Sequence, residues 1–297
     1  KKGEKKIFPP IRLKSEIQPQ FPKEKYCQMV ETAKHYIHEG DIFQVVLSNP
    51  MRAKAEGSLF DTYRVLRATN PSPYMFYFSS DDIEIAGASP ETLVKLEHGK
   101  LSTFPLAGTR PRGKTPEEDK ALEADLLQDE KELAEHNMLV DDSRNEFGYV
   151  SKIGTVDVKG YLNVVRCSRV MHLGSTITGE LKEGMNALDV INTITPSGAV
   201  SGAPKIRSCE VINEIEQERR GIYGSAVGYI GLDGDADFFV FIHSAFLKNG
   251  ELTVRAGGGI VIDSVPEEEY KECLFKAEAM LNAIQLASEE KQNDSLN

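Results

Sequence analysis

The chain has 297 residues, 40% hydrophobic and 27% charged, with a formal net charge of −11. That length can bury a large core, and no apolar run approaches the roughly 20 residues that a membrane-spanning helix needs. The acidic balance argues against nucleic acid or an anionic membrane as the main partner, and an anionic substrate would need local cations to offset it.

The elements follow in chain order. KKGEKKIFPPIRLK is basic, contains proline and has no helical period, so residues 1–20 read as a linker or the remnant of a missing N-terminal region. Residues 22–39 predict a helix ending at Gly40, and FQVVLSN (43–49) a strand. A helix near 58–68 stops before the turn-rich NPSPY (70–74), and strands follow around 74–79, 83–88, 92–97 and 101–106. TPEEDKALEADLLQDEKELAEHNMLVDDSRN (115–145) reads as one long helix, with Thr115 as N-cap, Pro116 first and Glu118 completing a capping box. Short strands around 154–179 precede a helix from about 185 and a glycine loop, PSGAVSGAPK (196–205), that opens the helix PKIRSCEVINEIEQE. YGSAVGYIGL, DADFFVFIHSAFLK and ELTVRAGGGIV read as consecutive strands, with Asn249 and Gly250 turning the last hairpin. A final helix starts at Pro266, and residues 290–297 read as a flexible tail.

Strands in adjacent runs, with long helices set apart, favour an α+β fold with antiparallel sheets over a βαβ alternation. No G-x-G-x-x-G or Walker loop supports nucleotide binding. Cys27, Cys167, Cys209 and Cys273 lack CxxC or CxH spacing and read as reduced thiols of a cytoplasmic protein.

Five places carry candidate chemistry. In PEEEYKECLFKAEAM (266–280), a wheel of about 100° per residue puts Cys273, Ala277, Met280, Leu281 and Ile284 on one apolar stripe. Glu267, Glu268, Lys271 and Glu278 fall opposite it, while Glu269, Glu272 and Lys276 lie at its edge, toward the protein body. Buried charges need partners, so these three form a salt-bridge cluster or a ligand or metal site. Glu135 also faces partly inward. Carboxylates without a cluster of imidazoles or thiols suit a hard cation such as Mg²⁺, although Glu135 could equally pair with a lysine. PLAGTRPRG (105–113) is either a turn with exposed arginines or an anion-contacting loop. RAGGGIV (255–261) either lets backbone N–H groups approach a carboxylate or, the simpler reading, forms a bulge. His172, alternating with apolar neighbours in a strand, is structural unless it faces a cleft, where it suits proton transfer.

GDIFQVVLSNP, NPSPYMFYF, GASPE, PLAGTRPRG, LLQDEKELAEHNMLVDDSRN, VMHLGST, SGAPKIR, RRGIYGSAVGY, AGGGIVIDSVPEEEY and KECLFKAE occur in this order. Together they resemble the chorismate-binding catalytic domain of anthranilate synthase component I and its relatives, over roughly residues 22–287. The resemblance implies two largely antiparallel sheets packed together and flanked by helices, and one catalytic domain over 21–289. It implies chorismate as substrate, Mg²⁺ held by Glu135, Glu269 and Glu272, and Lys276 helping to neutralise the substrate. Tyr223 and the glycines Gly257, Gly258 and Gly259 match the pyruvyl-carboxylate pocket. Glu91 matches the general acid that protonates the departing C4 hydroxyl, so a raised pKa is expected there. His172 matches the histidine linked to the loss of pyruvate.

Two positions separate the branches of the family by nucleophile. Gln44 stands where water-adding members carry a lysine base. Ala107, beside Gly108 and Thr109, stands where aminodeoxychorismate synthases commonly carry a nucleophilic lysine. The pair implies ammonia adding at C2 to give anthranilate for tryptophan biosynthesis, with the ammonia coming from a separate glutamine amidotransferase in a hetero-oligomer. Three departures are visible: His243 replaces an arginine that grips the pyruvyl carboxylate, Ala199 replaces a threonine of aminating members, and VDDSRNE replaces VDLGRND. They leave open an aminodeoxychorismate or aminodeoxyisochorismate synthase, or a non-catalytic chorismate-binding paralogue.

Overall fold

The structure, a computed structural model, describes residues 8–167 and 170–294. Its residues divide into two compact units: up to residue 90, 200–224 and from 241 onward in the first, and 91–199 with 225–240 in the second. Over the 21–289 expected to form the catalytic domain, the chain passes repeatedly between these two units.

In chain order the first unit supplies β1 (Arg12–Leu13), β2 (Gln18–Pro19), α1 (Lys23–His38), β3 (Gln44–Glu56), α2 (Phe60–Thr69), β4 (Tyr74–Ser79) and β5 (Ile83–Ser89). The second follows with β6 (Thr92–Glu97), β7 (Lys100–Thr103), β8 (Leu106–Pro111), α3 (Pro116–Leu126), α4 (Glu130–Val150), β9 (Asp157–Arg166), β10 (Val170–Glu180) and α5 (Ala187–Ile194). The chain then returns to the first for β11 (Gly202–Ala203) and α6 (Lys205–Glu216), crosses for β12 (Ala226–Ile230) and β13 (Ala236–Val240), and ends in the first with β14 (Ser244–Lys248), β15 (Glu251–Ile260) and α7 (Pro266–Asp294).

Each unit holds one antiparallel sheet with helices, the α+β class expected from the spacing. The first sheet has the order β1-β3-β15-β14-β5-β4, with β2 and β11 also pairing with β3. The second has the order β12-β13-β6-β7-β10-β8, with β9 also on β10. Strand β3 is buried continuously from Gln44 to Met51, as befits a strand covered on both faces. In the same core lie Tyr26, Met29, Val30 and Ala33 of α1 and, over β15, Cys273, Ala277, Met280 and Ile284 of α7, both runs at helical spacing. Asn249 and Gly250 both take positive φ, 52° and 74°, as a two-residue hairpin turn requires.

Five expectations change. Residues 12–13 and 18–19 add short strands to β3, and Ile11 is fully buried, so this stretch packs on the first unit and is no linker. The helix expected over 115–145 is two, because Asp129 caps α4 by accepting from the N–H groups of Lys131 and Glu132. The same carboxylate receives Arg110 of β8 at 2.6 Å, which favours a cap over one more helical turn. Thr115 does cap α3, but Glu118 reaches back to the Lys114 N–H, one residue short of a true capping box. DADFFVFIHSAFLK is also two strands: β13 ends at Val240 in one unit and β14 begins at Ser244 in the other. At the other end, α7 runs on through residues 290–294, and 295–297 lie outside the described residues. Among the described residues no helix is long and apolar enough to cross a membrane.

One carboxylate anchors the first unit. Glu216, at the end of α6 and 3% exposed, accepts from the Ser48 N–H at 2.8 Å and the Ser48 hydroxyl at 3.0 Å. It also pairs with Arg220 at 2.6 Å and lies 3.5 Å from Arg255 of β15. Arg220 donates onward to the carbonyls of Val200 and Val46. Removing one member of a buried pair costs about 3–5 kcal/mol, more than the roughly 1.5–3 kcal/mol of a buried apolar side chain. Glu216→Ala is therefore expected to lower unfolding free energy by about 3–5 kcal/mol in urea titrations; a loss under about 1 kcal/mol would show the network to be dispensable.

Candidate active site

In the first unit, β11 clamps the start of β3, with Ala203 opposite Gln44 and Gly202 opposite Val45. Only glycine fits at 202, where φ is +129° and a Cβ would collide with the Gln44 carbonyl oxygen. Gln44 is 3% exposed, and among the described residues its Oε1 has no hydrogen-bond partner. Leaving a buried acceptor unsatisfied costs about 1–3 kcal/mol.

The glycines of RAGGGIV lie inside β15, in unbroken register with β3: Gly257 opposite Ser48, Gly258 opposite Leu47, Gly259 opposite Val46. The bulge reading is therefore overturned, and the glycines serve close approach. A Cβ at Gly257 would lie 2.5 Å from the Leu47 carbonyl oxygen, and one at Gly259 would strike Gln44 Nε2. At Gly258 there is space, and what lies over it is Glu269 Oε2 at 3.4 Å and Glu272 Oε1 at 3.9 Å from the Cβ position.

Both carboxylates stand on α7, as the wheel requires, but unequally. Glu269 is 4% exposed, while about half of the Glu272 side chain is open to solvent. Lys276 Nζ sits 2.7 Å from Glu272 Oε1, one helical turn on. The Lys276 carbonyl accepts from His243 Nδ1 at 3.3 Å, so the proton sits on Nδ1 and Nε2 carries the lone pair. His243 has a left-handed backbone, φ 48°, at the break between β13 and β14. Burial, seconded by the Lys276 charge, lowers its pKa to about 4, so it is neutral at pH 7. Tyr223 is buried with the Arg220 guanidinium 5.8 Å from its ring centroid; burial lifts its pKa, leaving a neutral phenol.

In the second unit, β8 and β10 change register between Met171, opposite Arg110, and Leu173, opposite Ala107. Gly108 and Thr109 thus face the single residue His172, a bulge of the kind that re-aims a side chain. His172 Nδ1 lies 2.9 Å from the Gly108 carbonyl and 3.1 Å from Thr109 Oγ1. A carbonyl only accepts, so the proton is on Nδ1 and Nε2 is the basic nitrogen. Gly108 has φ +67°, and a Cβ there would crowd Leu126 and Glu132 at 3.0 and 3.2 Å. Ala107 is buried. Glu91 follows β5, its carbonyl accepting from the Val240 N–H at 3.1 Å and its Oε1 3.4 Å from Ser197 Oγ.

The arginines of PLAGTRPRG are neither exposed nor waiting for an anion. Arg110 meets Asp125, Asp129 and Glu132; Arg112 is bidentate to Asp119 at 2.9 Å and pulls that carboxyl down to about 2. Glu135 lies on α4, half-buried, next to fully buried His136, whose Nε2 bonds Ser175 Oγ at 2.7 Å. Among the described residues no three His, Cys, Asp or Glu side chains form a group that could hold a metal ion. What comes together is the pair Glu269 and Glu272. That pair still suits Mg²⁺, which keeps several waters and takes one or two protein carboxylates together with substrate oxygens.

The pattern of residues also missed several participants. Tyr26, fully buried, donates to the Leu47 carbonyl at 3.2 Å, and Cys273, Tyr223 and Glu269 all add to the upward shift that burial gives its phenol. Ser197, Asp142 and Glu146 line the same small cavity as Glu91. Tyr26 at helical spacing reads only as core, and no local pattern marks the others.

A family model described as chorismate binding enzyme matches residues 4–282, nearly the whole chain. The chain belongs to that family. Anthranilate synthase component 1 of Aquifex aeolicus is 51% identical over 269 residues, covering 91% of this chain and 54% of that protein. The crystal structure of anthranilate synthase component I from Streptococcus pneumoniae superposes with a TM-score of 0.83 at 44% identity, covering 91% of this chain and 59% of that one. The menaquinone-specific isochorismate synthase MenF of Escherichia coli gives 0.84 at 25% identity, covering 95% and 65%. The chain spans about half the length of the curated relatives it matches.

His243 sets a pH dependence. Its folded pKa of about 4 lies below the ordinary 6.5, so below pH 6.5 the unfolded chain binds the proton first. Its contribution is complete above pH 6.5 and is lost as pH falls toward 4, by at most about 1.4 kcal/mol per pH unit. His243→Asn, which tolerates the left-handed backbone but cannot titrate, is expected to flatten the fall in denaturation midpoint between pH 7 and 5; an unchanged fall would rule the residue out as its source.

Proposed function

We propose that the chain is the chorismate-using catalytic part of an anthranilate synthase component I, a lyase that adds ammonia to C2 of chorismate and releases pyruvate to give anthranilate. The observation that carries this reading is Gln44: a buried amide with an orphan oxygen, packed against Gly259, the β15 residue next to the glycine that the paired carboxylates of α7 overlie. An amide has no basic lone pair to deprotonate water, but its oxygen accepts an N–H of ammonia, which needs no deprotonation before it attacks. The kinship with anthranilate synthase component 1 proteins supports the same choice.

Glu269 and Glu272 would hold Mg²⁺, which when bound supplies positive charge to the ring carboxylate of chorismate. Lys276 adds a second cation beside Glu272 and helps to neutralise the substrate. Neutral His243 and the Tyr223 phenol offer short, uncharged polar contacts to the pyruvyl carboxylate. Glu91 gives its proton to the C4 hydroxyl, which leaves as water as ammonia bonds to C2. The added nitrogen loses a proton, which restores Glu91. His172, its Nε2 held as the lone-pair nitrogen by the Gly108 carbonyl, takes the C2 proton as the enolpyruvyl C–O bond breaks and the ring becomes aromatic, and the departing enolate takes up that proton to become pyruvate. Glu135 is assigned to the metal by resemblance. Ammonia would come from a glutamine amidotransferase subunit, in a tryptophan-biosynthetic hetero-oligomer of the cytoplasm.

The test incubates the purified chain with chorismate, MgCl₂ and an ammonium salt, and identifies products by fluorescence and mass. Anthranilate and pyruvate in equal amounts are expected. Glu269→Gln and Glu272→Gln are expected to abolish Mg²⁺-dependent turnover, losing at least about 10²-fold. A folded chain that consumes no chorismate overturns the enzyme reading, and an aminated product that keeps its pyruvyl group redirects it.

A further inference from the structure

In the second unit, Glu91 borders a small, partly enclosed cavity of about 20 Å³, room for a single water. The titratable groups that line it with Glu91 are Asp142 and Glu146, both from α4; Ser143, the strands and the 196–199 turn contribute hydroxyls, and among the described residues no cation lines it. The turn PSGA presses Gly198 so tightly against α4 that a Cβ there would collide with Asp142 Oδ2. Ser197 is thereby held beside the acid. Its Oγ accepts from the Ala199 N–H at 3.3 Å and stands 3.4 Å from Glu91 Oε1. With the oxygen engaged by Ala199, the hydroxyl hydrogen points to the carboxyl. The contact is long, as hydrogen bonds to catalytic acids commonly are before substrate tightens them.

We propose that Ser197 is a positioning residue for Glu91, its hydroxyl holding the carboxyl in the orientation from which the proton is delivered to the departing hydroxyl. The proposal rests on Glu91 as general acid. A serine donor bonded to one oxygen removes a rotational freedom that the acid would otherwise lose in the transition state, and it stabilises the carboxylate left after proton transfer.

Ser197→Ala is expected to lower kcat about 3- to 10-fold, the worth of one such hydrogen bond, with KM for chorismate unchanged. The alkaline limb of the kcat–pH profile moves up, because the carboxylate has lost a donor. Ser197→Thr restores both, and circular dichroism checks folding. If Ser197→Ala does not fold, Ser197→Cys, with its weak S–H donor, decides by the same readouts. Unchanged kcat and pH profile, with Glu91→Gln inactive, overturn the positioning role and leave the general acid in place. A fully active Glu91→Gln overturns the general acid itself, and Ser197's role with it.

Discussion

The first unit depends on the buried carboxylate of Glu216. It satisfies the Ser48 amide and hydroxyl in the middle of β3, neutralises Arg220 and faces Arg255 on β15. A charge taken from water must be repaid by several well-placed donors, and the donors available fix α6, β3 and β15 against one another. That register is what puts Gly258 under Glu269 and Glu272, and Gly259 against Gln44. The carboxylate pair and the amide are consequences of a structural ion pair that touches neither.

Burial sorts the polar groups of the site by protonation. His243 is neutral because desolvation disfavours its cation, and Tyr223 and Tyr26 keep their protons because desolvation disfavours their anions. Formal charge is concentrated on Glu269, Glu272 and Lys276, all within two turns of α7. In the proposed reading, a site that must hold a doubly anionic substrate on a chain of net charge −11 combines one cation of its own, neutral donors and a divalent ion. The second unit orders its groups by backbone instead. A bulge sets Gly108 and Thr109 opposite His172, and the Gly108 carbonyl chooses its tautomer.

The departures from the family pattern acquire different meanings. His243 occupies a left-handed position at a strand break, tied to the Lys276 carbonyl, so it serves the backbone as well as any ligand. Asp142, within the altered VDDSRNE, abuts Gly198 and lines the cavity beside Glu91 together with Glu146. The PSGA turn has a hydroxyl at 197 and none at 199, and it is the one at 197 that meets Glu91. The changes at 142 and 197 thus lie beside Glu91, not beside the Glu269 and Glu272 pair.

By itself the sequence determined the class of fold, most element boundaries and the family, because hydrophobic period, caps and collinear motifs are local and survive without knowledge of contacts. It also determined that Glu269 belongs inside and Glu267, Glu268 and Glu278 outside, since helical geometry fixes which side of α7 each occupies. Three things needed the tertiary structure. The split of 115–145 into two helices came from Arg110, a strand residue that captures Asp129. The role of the glycines in β15 came from what lies across the sheet, Leu47 and Gln44. The partners of Glu216, Glu91 and His172 lie 168, 106 and 64 residues away in sequence, and no periodicity along one segment reports contacts at that distance.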